Sequence, residues 1–156
     1  MRILILSDTH GNQAAVCRAR EAAGRIDAVI HLGDGERDAA LFSFEEQLPV
    51  VRVAGNCDLG SPAPRELLCE WQGVRLLLCH GDRYGVKAGM SRLIEHGLQQ
   101  GAAVVLYGHT HHAQVEQQQG IWLINPGTLT AQSSEHSYAI LELVDREIRA
   151  TIFPLD

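Results

Sequence analysis

The sequence predicts an α/β domain, and three observations support this fold class. Short apolar runs of strand length alternate with stretches of helical composition up to about residue 107. Val, Leu, Ile and Ala supply most of the apolar residues, while aromatic residues make up only 5%, as expected for buried parallel strands. From about residue 113, strand-like segments occur in pairs separated by short turns. A chain of 156 residues fits one domain, and we predict a single domain over residues 1–156.

Each element follows from local composition. Five apolar runs predict strands, in chain order at residues 2–6, 28–32, 50–54, 74–79 and 102–107. Stretches of helical composition predict helices at 13–23, 37–47 and 86–100. Gly24 marks the end of the first helix, whereas Gly89 and Gly97 weaken the prediction of the third. Two hairpins are predicted, at residues 114–125 and 137–155, and the second turns at Asp145, Arg146 and Glu147.

Composition excludes several classes of function. A formal net charge of −6 argues against a main role on the nucleic-acid backbone or on an anionic membrane. The apolar segment at the start is too short for a signal peptide or for a membrane span. The four cysteines form no C-x-x-C pair, and four free thiols fit a reducing compartment. We therefore expect a cytoplasmic protein with no membrane partner and no long nucleic-acid partner.

Polar residues follow each of the five predicted strands. Parallel strands all end at one edge of a sheet, which is where ligands bind in open α/β folds. The residues that reach this edge beside glycines are Asp8, His10, Asp34, Asn56, His80, His109 and His111. Taken singly, each motif has an ordinary explanation, such as a helix cap, a turn or a surface histidine. Their joint occurrence after five strands instead predicts one site.

Imidazole and carboxylate groups together suit first-row divalent metals. Seven ligand positions are too many for one open catalytic ion but suit two ions that share a carboxylate. The sequence therefore predicts a site for two divalent metal ions. Manganese is the first choice, and iron, zinc, nickel and cobalt are also compatible.

The ordered series D-x-H, G-D, G-N, H and G-H-x-H resembles the calcineurin-like metallophosphoesterase superfamily. The resemblance spans residues 4 to about 130. The motif Gly55-Asn56-Cys57-Asp58 and the stretch Asn125-Pro126-Gly127-Thr128 are similar to its small bacterial and archaeal phosphodiesterase branch. The resemblance implies two packed mixed β-sheets flanked by helices, a four-layer αββα sandwich.

The resemblance also implies a role for each residue. Asp8, His10 and His111 would bind the first metal, and Asp34 would bridge both metals. Asn56, His80 and His109 would complete the second. A one-residue spacing in extended backbone would direct His109 and His111 to the same side and His112 to the other. We expect His112 to be a rim or surface residue, and His31, His96 and His136 to be structural or exposed.

The implied reaction is hydrolysis of a phosphodiester by a hydroxide that bridges the two metals, with Asp34 and His80 as catalytic residues. Asn12 and Cys57 are candidate substrate-binding residues, although Asn12 could instead cap a helix. Many superfamily members have histidine as the proton donor where this chain has Cys57. The proton donor stays open between His80, a metal-bound water and Cys57, and Cys57 could also serve only in packing.

Two other functions are weighed against this one. A retromer subunit shares the fold and acts in protein assembly with an impaired metal site, so a non-catalytic scaffold is the main alternative. Action on long DNA is disfavoured because the chain is acidic and has no basic path. The expected partner is a small phosphate-ester substrate, and pairing of sheet edges leaves a homodimer open.

Overall fold

The computed structural model describes residues 1–45 and 47–156. The strands are β1 (Arg2–Leu6), β2 (Ala28–His31), β3 (Val50–Arg52), β4 (Glu66–Trp71), β5 (Val74–Cys79), β6 (Val104–Leu106), β7 (Gln114–Gln118), β8 (Ile121–Asn125), β9 (His136–Val144) and β10 (Glu147–Leu155). The α-helices are α1 (Gln13–Ala23), α2 (Ala40–Glu45) and α3 (Ser91–Gln99), and short 3-10 helices cover Glu36–Ala39 and Asp82–Tyr84. None of the described helices is long and apolar enough to cross a membrane.

The strands form two mixed sheets of five strands each, as the sequence predicted. The first sheet has the order β10-β9-β1-β2-β3 and the second the order β4-β5-β6-β8-β7. In the first sheet β1, β2 and β3 are parallel, and in the second β5, β6 and β8 are parallel. The strands that precede the predicted site residues therefore end together in each sheet.

Three apolar clusters define the layers of the fold. The central cluster contains Ile3 and Ile5 of the first sheet together with Leu76 and Leu78 of the second, so the two sheets pack face to face. A second cluster joins the outer face of the first sheet to α1 and α2, and a third joins the outer face of the second sheet to α3. The predicted four-layer αββα arrangement is confirmed.

Helix α1 has the predicted bounds. Its buried face is formed by Ala15, Val16, Ala19 and Ala23, which recur at helical spacing and pack on β1 and β9. Asn12 caps the start by accepting a hydrogen bond from the Ala15 N–H. Gly24 follows the last turn with φ of 66°, a conformation that glycine adopts without strain.

Several strands and helices begin or end at other residues than predicted. The third and fifth runs form shorter strands, Val50–Arg52 and Val104–Leu106. The helix predicted at 37–47 is a 3-10 turn followed by α2, and Gln47 has φ of 57°, which ends helical geometry before that residue; Glu46 lies outside the described residues. The helix predicted at 86–100 begins only at Ser91, because Gly85 and Gly89 have positive φ.

Strand β4 was missed by the sequence analysis. It lies at the edge of the second sheet and pairs with β5 across the two-residue turn Gln72-Gly73. Both turn residues have positive φ, 52° and 71°, which is the geometry of a type I′ hairpin. The second predicted hairpin is also tighter than expected, since Asp145 and Arg146 alone form its turn and Glu147 already belongs to β10.

Candidate metal centre

Loops from both sheets meet at one side of the sandwich. The loops after β1, β2 and β3 approach the loops after β5 and β6, and they carry six acidic and imidazole side chains of the predicted set. These six side chains form two clusters within which the candidate ligand atoms lie within 4.8 Å of one another. The residues come from positions more than a hundred apart in the chain.

The first cluster consists of Asp8, His10 and His111. Oδ1 of Asp8 lies 3.0 Å from Nε2 of His111 and 4.0 Å from Nε2 of His10. The other carboxylate oxygen of Asp8 accepts hydrogen bonds from the Ser7 hydroxyl (2.6 Å) and from the His109 N–H (3.0 Å). These two bonds hold the carboxylate with Oδ1 directed at the imidazoles.

The second cluster consists of Asp34, His80 and His109. Oδ2 of Asp34 lies 3.3 Å from Nε2 of His80, which in turn lies 3.2 Å from Nδ1 of His109. The ring of His80 donates its Nδ1 proton to the carbonyl of Leu32 (2.8 Å). Because a carbonyl oxygen only accepts, this bond selects the Nδ1–H tautomer of the neutral ring, whose Nε2 lone pair is then directed into the cluster.

Asp34 lies between the two clusters. Its Oδ2 is 3.9 Å from Nε2 of His10 in addition to the contact with His80. Its other oxygen, Oδ1, accepts a hydrogen bond from the Cys57 N–H (2.7 Å), so the orientation of the carboxylate is fixed. One carboxylate oxygen thus faces both groups of imidazoles.

The electrostatics of the centre are dominated by two buried carboxylates. Burial alone would raise the pKa of Asp8, but His111, His80 and the Ser7 hydroxyl outweigh it and lower that pKa. Burial also opposes ionisation of Asp34, yet the adjacent His80 and the Cys57 N–H hold its pKa well below the usual range. Both carboxylates are therefore charged at neutral pH, which is the state that binds cations.

The imidazoles respond in opposite directions. Burial would lower the pKa of His80, but the carboxylates of Asp34 and Asp8 raise it overall. The pKa of His109 is lowered by burial and by the nearby His80 and Lys87. His109 is thus neutral at pH 7 and offers a lone pair, as a metal ligand must.

Strained backbone is concentrated at the centre. Among the described residues, ten that are not glycine have positive φ, and five of these belong to the predicted ligand set: Asp8, His10, Asp34, His109 and His111, with φ between 45° and 67°. Such conformations cost about 1–3 kcal/mol each for residues other than glycine and are typical of functional sites. The surrounding hydrogen bonds maintain these conformations because they hold the loops from several sides.

The left-handed conformation of His109 and His111 corrects one expectation. Sequence reasoning placed both residues in extended backbone with their side chains on the same side. Residue Thr110 instead lies between two left-handed residues, and the side chains of His109 and His111 diverge to different clusters. The positive φ angles of this loop, and not a strand, therefore direct the two side chains to the two clusters.

Asp58, for which no role was predicted, connects the loops after β2 and β3. Its carboxylate accepts hydrogen bonds from the N–H groups of Asp34 (2.7 Å), Gly35 (2.8 Å) and Gly55 (2.8 Å). It therefore ties the loop after β2 to the loop after β3. The signal that could have found it is its place in Gly-Asn-Cys-Asp, where a carboxylate next to glycines can accept bonds from free N–H groups.

A buried network supports the first loop. Nδ1 of His31 accepts a hydrogen bond from the Gly33 N–H (3.1 Å), so Nε2 carries the proton in the neutral ring and lies 3.1 Å from the Thr9 hydroxyl. The Thr9 hydroxyl donates to Asp38 (2.6 Å), which also accepts from the Gly11 N–H (2.8 Å). His31 is structural, as expected, and joins the loop of Asp8 to that of Asp34.

The remaining predicted residues lie around the centre. Asn12 caps α1 and donates its amide hydrogen to the Leu129 carbonyl (2.7 Å), so both of its polar atoms are engaged in the fold. Asn56 is exposed, and its amide nitrogen donates to Sγ of Cys57 (3.3 Å). The roles of Asn12 in substrate binding and of Asn56 in metal binding stay predictions.

Cys57 is exposed and its thiol lies with His10 and Asp34 at the mouth of the centre. It is therefore not packed in the core, which was the alternative considered for it. Desolvation and the carboxylate of Asp34 raise its pKa, so the thiol keeps its proton at neutral pH. The structure records all four cysteines as free thiols.

The donor set fits divalent cations. Oδ1 of Asp8 is fully buried and forms no hydrogen bond with any described residue, although it is surrounded by three imidazoles. A buried carboxylate oxygen whose neighbours are imidazole nitrogens is poorly satisfied when those rings are neutral, and a cation would satisfy it. Carboxylates and neutral imidazoles are ligands that first-row divalent metals prefer.

Comparison with known proteins identifies the family. The model of the calcineurin-like phosphoesterase superfamily domain matches residues 1–146. The chain belongs to this superfamily. The probable metallophosphoesterase YsnB of Bacillus subtilis is 34% identical over 146 residues, which cover 92% of this chain and 85% of YsnB. Phosphodiesterase YfcE of Escherichia coli is 31% identical, with coverage of 91% and 88%.

Comparison with solved structures supports this assignment. A predicted phosphoesterase from Streptococcus pneumoniae superposes with a TM-score of 0.81 at 27% identity, covering 98% of this chain and 88% of that one. Vps29 from Entamoeba histolytica, complexed with zinc, superposes with a TM-score of 0.75 at 20% identity and covers 99% of both chains. The second match concerns the fold alone.

Proposed function

We propose that the protein is a metal-dependent phosphodiesterase that hydrolyses small phosphodiesters at a pair of divalent cations. The observation that carries the proposal is the position of Asp34, whose Oδ2 faces His10 of one cluster (3.9 Å) and His80 of the other (3.3 Å). One shared carboxylate between two ligand groups is the arrangement of a two-metal phosphoesterase. A relative named as a phosphodiesterase supports the diester as substrate.

Each cluster would hold one cation. Asp8, His10 and His111 would hold the first, and His80 and His109 the second, with Asp34 shared and Asn56 added to the second. When bound, two such cations supply Lewis acidity, which lowers the pKa of a water and neutralises charge on the phosphoryl oxygens. Manganese is the first choice, and iron, zinc, nickel or cobalt suit the same donors.

The residues of the chain orient the reaction and supply a proton. His80 keeps its Nδ1 proton on the Leu32 carbonyl and therefore directs Nε2 at the centre. Among the proton donors considered, Cys57 is exposed beside Asp34 and carries its proton, whereas His80 is buried. A thiol is a weaker acid than imidazolium, so phenolate leaving groups, which need no proton, are expected to depart fastest.

A hydrolysis assay tests the proposal. Protein stripped with a chelator is assayed on bis-p-nitrophenyl phosphate with each candidate metal, and manganese is expected to restore cleavage. The Asp34→Asn variant should fall to background and lose affinity for at least one metal. Asp145→Asn is the matched control, since it makes the same substitution at positive φ in an exposed hairpin turn. Turnover retained by Asp34→Asn with manganese would contradict the shared role of Asp34.

A non-catalytic scaffold is the second candidate. Its support is weaker because both clusters keep their carboxylates and imidazoles, whereas a scaffold has no need of strained residues that converge on a cation site. Inactivity on phosphodiesters and phosphomonoesters with every metal would favour the scaffold.

A further inference from the structure

A pocket beside the metal centre is not used by the proposed reaction. It has a volume of about 440 Å³, which is within the size range of ligand sites. Thr110 and His112 line it, and Thr110 lies between the cluster residues His109 and His111. The pocket therefore adjoins the loop that carries His109 and His111 to the two clusters.

One wall of this pocket is apolar, and its exposed rim carries the ammonium group of Lys87. Val86, Met90 and the ring of Tyr107 belong to the apolar cluster between α3 and the second sheet, and they form this wall. Lys87 and His112 are exposed at the rim. No carboxylate lines the pocket among the described residues.

Lys87 has an unusual position in this chain. It is the only lysine in a sequence of formal net charge −6. No carboxylate of the described residues forms an ion pair with it, and the nearby Asp82 is already bound by Arg65 (2.5 Å). An exposed cation without a partner, next to a site for anionic substrates, is available to a substrate group.

The pocket on the other side of His111 has the opposite charge. It has a volume of about 620 Å³ and is lined by Glu135 and Asp156, together with His112 and His136. These carboxylates would repel an anionic group. The centre thus lies between a cationic pocket and an acidic one, which distinguishes the two ester groups of a diester by charge.

We propose that the pocket formed by Lys87, Met90, Tyr107, Thr110 and His112 is a specificity subsite for a ring-sized ester group that carries an anionic substituent. This inference rests on the proposed phosphodiesterase function and names its substrate class. The apolar wall holds the body of the group, and the Lys87 ammonium binds the carboxylate or phosphate on it. The scissile phosphate stays at the metal centre.

Kinetics of two matched diesters test the subsite. The substrates are 4-nitrophenyl phenyl phosphate and its analogue with a 4-carboxylate on the phenyl ring, assayed with manganese. The wild type should have a kcat/KM about fivefold higher for the carboxylated diester, as expected for one partly exposed ion pair. Lys87→Met should remove this preference, so that its kcat/KM values for the two diesters become equal, while Lys87→Arg should retain most of the preference.

Arg83→Met is the matched control, because Arg83 is an exposed cation in the same segment that does not line the pocket. Its preference should equal that of the wild type. An equal preference in wild type and Lys87→Met would overturn the subsite. Failure to hydrolyse either diester with any metal would instead refute the proposed function, and the subsite would then be decided by binding.

Binding in the subsite can be measured by the protection of Lys87 from acetylation. Lys87 is the only lysine, so its acetylation by an N-hydroxysuccinimide ester is read in a single peptide, with the Met1 amino group as internal reference. Saturating 4-carboxyphenyl phosphate should slow acetylation of Lys87 about fivefold, whereas phenyl phosphate should not. Equal rates with both compounds would contradict the subsite.

Discussion

Asp8 is charged, fully buried and only half satisfied by hydrogen bonds. Its Oδ2 accepts two bonds, but Oδ1 has no hydrogen-bond partner among the described residues. Oδ1 instead faces imidazole nitrogens, with Nε2 of His111 at 3.0 Å, so it is poorly satisfied when these rings are neutral. We therefore expect Asp8 to contribute more to metal binding than to folding, and two measurements can separate these contributions.

We expect Asp8→Asn to lower metal affinity strongly and stability little. The amide oxygen of asparagine can keep the bonds from Ser7 and His109, so metal-free protein should lose at most about 1 kcal/mol of unfolding free energy. Loss of a charged ligand should weaken manganese binding by about 100-fold or more, because removal of outer partners alone costs 10–100-fold. Titration calorimetry and urea unfolding measure the two effects.

The control for this prediction is Asp145→Asn, which has a similar positive φ in a hairpin turn remote from the centre. It should change neither quantity. Unchanged manganese affinity in Asp8→Asn would remove Asp8 from the ligand set.

His31 makes the stability of the metal-free protein depend on pH. Burial lowers its pKa to about 4 from an ordinary 6.5. Between these values the unfolded chain binds a proton that the folded chain does not, so the free energy of unfolding falls as pH falls. The contribution is complete above pH 6.5 and decreases by about 3 kcal/mol as pH approaches 4.

Urea unfolding of wild type and His31→Asn from pH 7.5 to pH 4 isolates this contribution. Asparagine can still accept the Gly33 N–H but does not titrate, so the variant should have a flatter profile. His112→Asn, an exposed histidine, should follow the wild type. Parallel profiles for wild type and His31→Asn would show that His31 is not buried in its neutral form.

The candidate ligands were largely predictable from sequence, because each lies one to five positions after the end of a strand. The partners that hold these ligands were not readable. Asp58 and the Ser7 hydroxyl act through contacts between loops, and only the folded chain brings those loops together. The strain at His109 and His111 was also missed, since sequence spacing does not reveal φ.

At the scale of elements, three hairpins use two-residue turns with positive φ at both positions. They are Gln72-Gly73, Gln119-Gly120 and Asp145-Arg146. This geometry matches the twist of antiparallel strands, and asparagine adopts it more readily than glutamine. Two of the turns therefore carry a first residue that is not optimal.

Gln119→Asn should stabilise the protein by roughly 0.5 kcal/mol, because it creates an Asn-Gly turn between β7 and β8. Thermal or urea unfolding measures the change. Gln117→Asn makes the same replacement at an exposed strand position, where asparagine is unfavourable, and it should not stabilise. A stabilisation of equal size in both variants would exclude the turn as the cause.

Element types were predicted better than element ends. The elements β1, α1 and β5 were predicted at their observed bounds because local composition and flanking residues agree there. Strand β4 was missed because its residues alternate poorly at a sheet edge. Gly97 weakened the prediction of helix α3, and the structure shows why glycine occurs there. A Cβ at this position would lie 2.8 Å from Val105 Cγ2, so glycine permits α3 to approach the sheet.

At the scale of the whole molecule, the centre joins the two sheets. Asp8 and Asp34 follow strands of the first sheet, whereas His80, His109 and His111 follow strands of the second. The apolar contacts between the sheets do not depend on direction, so they leave the relative position of the sheets loosely defined. The hydrogen bonds and ion pairs of the centre are directional and hold the two sheets in register at one edge. The sequence alone does not reveal this link between the sheets, because the residues that form it are distant in the chain.

Cation binding is therefore expected to stabilise both sheets together. Manganese at about 100 times its dissociation constant should add about 2.7 kcal/mol to the free energy of unfolding, provided that it binds only the folded chain. Hydrogen exchange should slow at the carboxyl ends of β1 and β2 and also of β5 and β6, because opening either side would release the cations. Asp8→Asn should lose most of this protection. Protection confined to the loops of one sheet would show that the cations do not join the two sheets.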